Sequence, residues 1–184
     1  MEREILFIRH GRPASENNQS LNAPGFLRWV RDYNRADLHY QSVPHEQLDL
    51  RGYYIMCSDL HRARLSAAKY TPLPVNHYNA CFNEMDIPYY RLPLTLNAWS
   101  WVYLNRFLWM LGKAGNFESF ADDKVRAKYA VNLIVKHSSA HPKIALFGHG
   151  MTSRMMMYYL KKQGWRSSTK DYRYWGAIRL HLTT

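Results

Sequence analysis

Four segments of the chain have the apolar spacing of β-strands. Residues 5–9 (ILFIR), 53–58 (YYIMCS) and 143–148 (KIALFG) are short and almost continuously apolar, which is typical of strands buried on both faces of a parallel sheet. Residues 177–182 alternate between apolar and polar positions and predict an edge strand. One further short strand is predicted at residues 80–82, inside the proline-rich stretch 71–93, which is otherwise expected to be irregular.

Helical spacing fills most of the chain between these strands. Phe26, Trp29, Val30 and Tyr33 recur at steps of three and four residues and predict a helix that continues to about residue 37. Further helices are predicted over residues 60–69, 98–111, 117–137 and 152–162. The aromatic helix 98–111 is expected to be buried, and the alternative is a hydrophobic lid over a substrate pocket.

Strands that alternate with helices predict an α/β fold, a three-layer α/β/α sandwich around a mostly parallel central sheet. The length of 184 residues, of which 47% are hydrophobic, suits one domain over residues 1–184. In such folds, ligands bind beyond the carboxyl ends of the strands. The polar segment 12–24 directly follows the first strand, where binding loops commonly lie.

The formal net charge of +11 favours anionic partners such as phosphate esters, nucleic acids or acidic membrane surfaces, without choosing among them. Much of this charge follows residue 150, where we expect a solvated helix face and then a basic loop. The sequence shows no secretory signal and no apolar run of the roughly 20 residues that a membrane span requires. The two cysteines are interpreted as reduced core thiols, so a cytoplasmic protein without a membrane partner is expected.

Two histidines directly follow buried strands, and each is followed by glycine, at His10-Gly11 and at His149-Gly150. Arg9 precedes His10, and Arg62 lies in the first turn of the helix after the second strand, with Arg64 as the alternative. Guanidinium groups match the anionic oxygens of a phosphoryl group with paired, charge-assisted hydrogen bonds. Neighbouring positive charges also favour the neutral, nucleophilic form of imidazole. The pattern therefore indicates phosphoryl chemistry.

Three segments in this order, Arg9-His10-Gly11, residues 57–63 and Gly148-His149-Gly150, resemble the histidine phosphatase superfamily, which has the phosphoglycerate mutase-like fold. The resemblance spans most of the chain. It implies that His10 is a nucleophile that becomes phosphorylated, and that Arg9, Arg62, His149 and the backbone of Gly150 surround the phosphoryl oxygens. It further implies that Glu84 is the proton donor, with Asp86 as the alternative, and that no metal or organic cofactor is required.

The loop after the first strand departs from the family pattern. Arg12 and Pro13 stand where many members carry a small or acidic residue followed by Ser or Thr. The polar phosphate ligand that usually follows is displaced or absent, and Asn17 is its nearest candidate. Arg12 and Ser15 are candidates for contacts with the substrate from this loop.

The expected activity is hydrolysis of a small phosphorylated metabolite by a histidine acid-type phosphatase. Mutase activity is less expected, because mutases of this family usually add segments that close over the substrate, and this chain is short. Arg12 and the basic carboxyl-terminal third suggest a substrate with more than one anionic group.

Two other classes of function stay open. One is a non-catalytic protein that binds a phosphorylated ligand or RNA, although nucleic acid is not the favoured partner. The other is a protein phosphatase that acts on phosphohistidine or phosphotyrosine. His137 and His141 are spaced like a pair of metal ligands on a helix, but with no third ligand in sight a solvated helix end is expected. The sequence does not indicate an oligomeric state.

Overall fold

A computed structural model of the chain describes residues 2–15 and 17–183. Its centre is a six-stranded sheet of β1 (Glu2–Arg9), β3 (Tyr54–Cys57), β4 (His77–Tyr78), β6 (Lys143–Gly148), β7 (Arg166–Lys170) and β8 (Ala177–Thr183), while β2 (Ser20–Asn22) and β5 (Thr95–Asn97) form a small second sheet. The strand order in the six-stranded sheet is β4-β3-β6-β1-β8-β7. The first four strands in this order pair in parallel and the last two are antiparallel. The predicted α/β fold is confirmed.

Helices cover both faces of the six-stranded sheet. They are α1 (Ala23–Arg35), α2 (His61–Tyr70), α3 (Ala98–Met110), α4 (Phe120–Ser138) and α5 (Gly150–Lys162). Ile5 and Phe7 of β1 pack in one core with α4 and α5, while Leu6 and Ile8 pack in a second core with α2. Both faces of β1 are therefore buried, which explains its continuous apolar sequence. Helices α1 and α3 share a third, aromatic core.

Two strand predictions are wrong. Residues 80–82 form a 3₁₀ turn rather than a strand, because the side-chain oxygen of Asn79 accepts a hydrogen bond from the backbone N–H of Cys81 and starts a turn. Residues 177–182 belong to β8, which lies between β1 and β7 and is not an edge. The edge strand on this side is β7, in a segment predicted as a basic loop. Its sequence RSSTK lacks apolar alternation, so no sequence pattern marked it.

Capping side chains set the helix starts that the periodicity misplaces. Helix α1 begins at Ala23, before the predicted Phe26, because Asn22 accepts from the backbone N–H of Gly25 and a proline occupies the first turn. Helix α4 begins at Phe120, after the predicted residue 117, because Ser119 accepts from the N–H of Asp122.

Helix α3 combines both of the interpretations offered by its sequence. Trp101, Asn105 and Trp109 are buried on one face, whereas Trp99, Val102 and Tyr103 line a large cavity. Both cysteines, Cys57 and Cys81, are buried free thiols, as expected. Within the part of the chain that the structure describes, no helix is long and apolar enough to cross a bilayer.

Parallel pairing brings three strand ends together. Arg9 at the end of β1 pairs with Gly148 at the end of β6, and Cys57 at the end of β3 pairs with Phe147. His10, His149 and Ser58 are the residues that follow these three ends. The site is therefore assembled at the carboxyl edge of the sheet, where open α/β folds place their ligands.

Candidate active site

His10 and His149 lie side by side, with ring centroids 5.0 Å apart, and both rings are almost fully buried. Nδ1 of His10 lies 2.7 Å from the carbonyl oxygen of Gly11. Because a carbonyl oxygen only accepts, Nδ1 carries the proton and Nε2 of the neutral ring keeps its lone pair. Burial lowers the pKa of His10 well below its usual value, and His149, Arg62 and Arg9 add to this effect. The ring is therefore neutral at pH 7.

Glycine is required after His10 for steric reasons. A Cβ atom on Gly11 would collide with the indole ring of Trp175. The N–H of Gly11 donates to the hydroxyl of Ser66 (2.9 Å), and the indole N–H of Trp175 donates to Ser42 Oγ (2.8 Å). The turn after β1 is thus packed directly on the loop that precedes β8.

The same loop, residues 171–176, supports Arg9 and His10. Arg9 Nη1 donates to the carbonyl oxygen of Tyr172 (2.7 Å), and the guanidinium lies 4.1 Å from the centre of the Tyr174 ring. That ring is also 5.6 Å from the His10 ring. Trp175 has a positive φ of 64°, which is uncommon for a bulky residue. The role of this loop was not predicted from the sequence, although its aromatic run YRYW before the last strand was a visible signal.

Hydrogen bonds also orient His149. Ser58 Oγ donates its only proton to Asn83 Oδ1 (2.7 Å), an oxygen that also accepts from the N–H of Asp59. Ser58 Oγ must therefore accept from Nε2 of His149, 2.8 Å away. Nδ1 of His149 is buried and has no hydrogen-bond partner among the described residues. Burial first, and then Arg62 and Arg9, lower the pKa of His149 well below its usual value.

Arg62 is held in place, but two of its N–H groups make no hydrogen bond with the described residues. It lies in the first turn of α2, is only 3% exposed, and its guanidinium lies 5.4 Å from the centre of the Tyr33 ring. Its Nε and Nη1 have no hydrogen-bond partner among the described residues. The alternative, Arg64, forms an ion pair with Asp59 (2.8 Å) at the surface. The structure therefore brings Arg62, and not Arg64, to the two histidines.

Glu84 caps the helix that follows His149. Its carboxylate accepts hydrogen bonds from the backbone N–H of Thr152 (3.0 Å) and of Met151 (3.3 Å) in the first turn of α5. Burial raises the pKa of Glu84, but Arg106, the Thr152 N–H and Arg62 together outweigh it, and the net pKa lies below the usual value. Asp86 instead is exposed and accepts from the N–H of Glu118 (3.3 Å).

A cavity of about 700 Å³ adjoins the site. Arg9, Arg62, Glu84 and Gly150 line it, together with Asp86. His10 and His149 do not line it themselves, but they are the chain neighbours of Arg9 and Gly150. A further lining residue, not predicted from the sequence, is Arg106 on α3, whose buried Nη1 has no partner among the described residues. Its only signal was a lone charge inside an aromatic helix.

Three predicted loop residues do not line this cavity. Asn17 is exposed, and its Oδ1 accepts from the indole N–H of Trp29 (2.9 Å). Arg12 is also exposed, and its backbone N–H donates to Ser42 Oγ (2.8 Å). The hydroxyl of Ser15 is buried without a described partner. The loop after β1 turns away from the cavity because Ser42 and Trp29 hold it elsewhere.

No group of three or more His, Cys, Asp or Glu side chains among residues 2–15 and 17–183 is placed to hold a metal ion. His137 and His141 instead stack on the ring of Tyr54, at centroid distances of 5.1 and 4.2 Å. His77 lies 5.3 Å from His137. The end of α4 is therefore packed against β3 and β4 rather than simply solvated, as the sequence had suggested.

Comparison with known proteins gives a family match and similar folds. The family model of the histidine phosphatase superfamily (branch 1) matches residues 5–171, whereas no curated protein sequence matches the chain. Three similar solved structures show the same fold at low sequence identity. The product of the open reading frame Rv3214 of Mycobacterium tuberculosis is 20% identical, with a TM-score of 0.59 over 85% of this chain and 79% of that one. A mycobacterial glucosyl-3-phosphoglycerate phosphatase is 17% identical, with a TM-score of 0.55 over 88% of this chain and 81% of that one. The alpha-ribazole phosphatase of Shigella flexneri is 16% identical, with a TM-score of 0.54 over 85% of this chain and 79% of that one.

Proposed function

Because the chain belongs to the histidine phosphatase superfamily (branch 1), we propose that it hydrolyses phosphomonoesters through a phosphohistidine on His10. One observation carries the proposal. The bond from Nδ1 to the Gly11 carbonyl leaves Nε2 of a neutral, buried ring as the free nitrogen, next to two arginines whose remaining donors suit phosphoryl oxygens.

In the first step, Nε2 of His10 attacks the phosphorus atom and the bond to the ester oxygen breaks. Arg9, Arg62 and His149 stabilise the negative charge on the phosphoryl oxygens, with the backbone of Gly150 close by. His149 must present a protonated Nδ1 to do so, because Ser58 already occupies Nε2. The negative charge of the substrate raises the pKa of this ring, so the substrate itself promotes that protonation.

The leaving alkoxide is a strong base and requires a proton, which Glu84 supplies. Its carboxylate is ionised in the free protein, so the proton has to enter with the substrate, whose negative charge raises the pKa of Glu84. In the second step, Glu84 removes a proton from water, the water attacks phosphohistidine, and inorganic phosphate leaves. His10 is thereby restored as a neutral imidazole.

A small phosphorylated metabolite is the proposed substrate, and hydrolysis is preferred over mutase chemistry. The cavity of about 700 Å³ lies within the range of roughly 300–1,000 Å³ in which proteins hold small molecules. Two of the similar structures carry names of phosphatases that act on small phosphorylated compounds. Both observations support a metabolite rather than a protein as the phosphoryl donor.

Hydrolysis of p-nitrophenyl phosphate by the wild type and by His10→Ala tests the proposal, with trapping of acid-labile phosphate on the protein in parallel. Both activity and trapped phosphate should disappear in His10→Ala. The matched control is His141→Ala, since His141 is exposed, lies outside the cavity and stacks on Tyr54 at the start of β3, away from the strand ends that form the site, and it should keep both. A wild type that neither turns over the ester nor traps phosphate would instead support a protein that only binds its phosphorylated ligand.

A further inference from the structure

One face of α3 forms an apolar wall of the cavity. Trp99, Val102, Tyr103, Arg106 and Met110 all line it, and their spacing of three and four residues places them along one stripe of the helix. Arg106 is the single charged residue of the stripe.

Aromatic rings connect this stripe to the phosphoryl end of the cavity. The guanidinium of Arg62 lies 5.4 Å from the centre of the Tyr33 ring, and Tyr33 in turn lies edge-on to Trp99, at a centroid distance of 6.0 Å. Tyr103 follows one helical turn after Trp99 and is 71% exposed. A group attached to a phosphate at Arg62 therefore meets Tyr33 and Trp99 first, and then Tyr103.

The rings are already held in place before a ligand arrives. Tyr33 stacks on Trp29 with centroids 5.2 Å apart, and Trp99 packs edge-on against the same Trp29 at 5.4 Å. Rigid aromatic surfaces bind planar rings at a low cost in conformational entropy. The part of the wall formed by Tyr33 and Trp99 is thus preorganised, and its chemistry matches an aromatic group.

We propose that the stripe formed by Trp99, Tyr103 and their neighbours is a subsite for an aromatic leaving group, so that the substrate is a phosphomonoester of an alcohol bearing a planar ring. This inference rests on the proposed function, because the leaving group occupies the subsite only when its phosphoryl group lies at His10. It specifies which class of small phosphorylated compound the site selects.

A matched pair of substrates tests the inference. The alcohols released from 2-phenylethyl phosphate and ethyl phosphate have similar basicity, so a difference in kcat/KM reports on binding of the ring and not on the leaving-group chemistry. We expect kcat/KM to be about 10- to 100-fold higher for the phenylethyl ester, which corresponds to burial of one phenyl ring. Equal values for the two esters would overturn the inference and leave the hydrolase proposal intact.

Two variants of α3 test whether the preference for the phenylethyl ester arises at the proposed subsite. Tyr103→Ala should lower kcat/KM for 2-phenylethyl phosphate by about 3- to 10-fold, the size of one aromatic contact, and should leave ethyl phosphate unchanged. Phe107→Ala is the control, because Phe107 is an exposed aromatic residue of the same helix (55% exposed) that does not line the cavity. An equal effect of both variants would contradict the subsite.

Binding of phosphonates separates this inference from the proposed activity. 2-Phenylethylphosphonate and ethylphosphonate cannot be hydrolysed, and titration calorimetry measures their affinities directly. Tighter binding of the phenylethyl compound, weakened in Tyr103→Ala but not in Phe107→Ala, supports the subsite even if no ester is turned over. Equal affinities of the two phosphonates refute it, whatever the hydrolysis assay shows.

Discussion

The carbonyl oxygen of Gly11 and the hydroxyl of Ser58 orient the two buried histidines in opposite ways. The first occupies Nδ1 of His10 and leaves Nε2 free, while the second occupies Nε2 of His149 and leaves Nδ1 free. Neighbouring rings with opposite free nitrogens suit a nucleophile beside a second ring that becomes a donor through Nδ1 once the substrate promotes its protonation. Asn83, which holds Ser58, directly precedes Glu84, so the same loop orients the second histidine and carries the carboxylate.

The choice between Glu84 and Asp86 as proton donor can be tested through the leaving group. Glu84→Gln should lower kcat/KM, which reports the steps up to formation of phosphohistidine, for an alkyl phosphate by about 10²- to 10⁴-fold, the usual contribution of a general acid. The loss should be much smaller for p-nitrophenyl phosphate, because p-nitrophenolate leaves without a proton. Asp86→Asn, which removes an exposed carboxylate at the same cavity, should change neither rate. The opposite pattern would assign the acid to Asp86.

Among the secondary-structure elements, the loop before β8 supports the turn after β1. The backbone N–H of Arg9 donates to the carbonyl of Gly176 (3.0 Å), and the N–H of Trp175 donates to the carbonyl of Arg9 (3.2 Å). The indole of Trp175 fills the space that a side chain at position 11 would need. The position of the nucleophile therefore depends on a segment more than 160 residues away in sequence.

Gly11→Ala should disturb this contact. The added methyl group collides with the Trp175 ring, so the free energy of unfolding should fall by about 1–3 kcal/mol, as for other overpacked sites, and kcat should fall with it. Urea denaturation and the ester assay measure the two effects. The control is Gly148→Ala, whose Cβ would come no closer than 3.7 Å to its described neighbours. A stable and active Gly11→Ala protein would show that the loop can move aside.

Across the whole molecule, the site couples stability to pH. His10 and His149 are neutral in the folded protein because their pKa values lie well below the usual value, whereas in the unfolded chain they titrate near pH 6.5. Between the folded and unfolded pKa values, the unfolded state binds more protons. Stability should therefore rise with pH in this window and fall as the pH is lowered through about 6.5.

Urea denaturation between pH 5.5 and 7.5 measures this linkage. At the acidic end of this range, each of the two histidines should raise the free energy of unfolding by up to about 1.4 kcal/mol per unit increase in pH. His10→Asn should remove one such contribution. Asn132→Ala, which removes no ionisable group from the exposed side of α4, should leave the slope unchanged. If His10→Asn keeps the wild-type slope, His10 is not the group that resists protonation.

The sequence alone was sufficient to locate the central strands and the residues at their ends. β1, β3 and β6 are almost continuously apolar because both faces of each strand are buried, and the carboxyl ends of adjacent parallel strands must meet at one edge of a sheet. Strand pattern and sheet geometry therefore sufficed to place Arg9, His10 and His149 together, and Arg62 was placed by its position in the first turn of the helix after β3.

Only the tertiary structure revealed the partners of these residues. Arg106, Asn83, Tyr174 and Trp99 come from loops and helices whose positions depend on packing between distant segments, and no local spacing encodes such contacts. Asn17 shows the converse, since its sequence position suggested a phosphate ligand, but a hydrogen bond to Trp29 holds it outside the cavity lining. The residues at the strand ends can be placed from local sequence because sheet geometry is regular. The walls of the cavity, in contrast, form only when α1, α3 and the loop before β8 pack together.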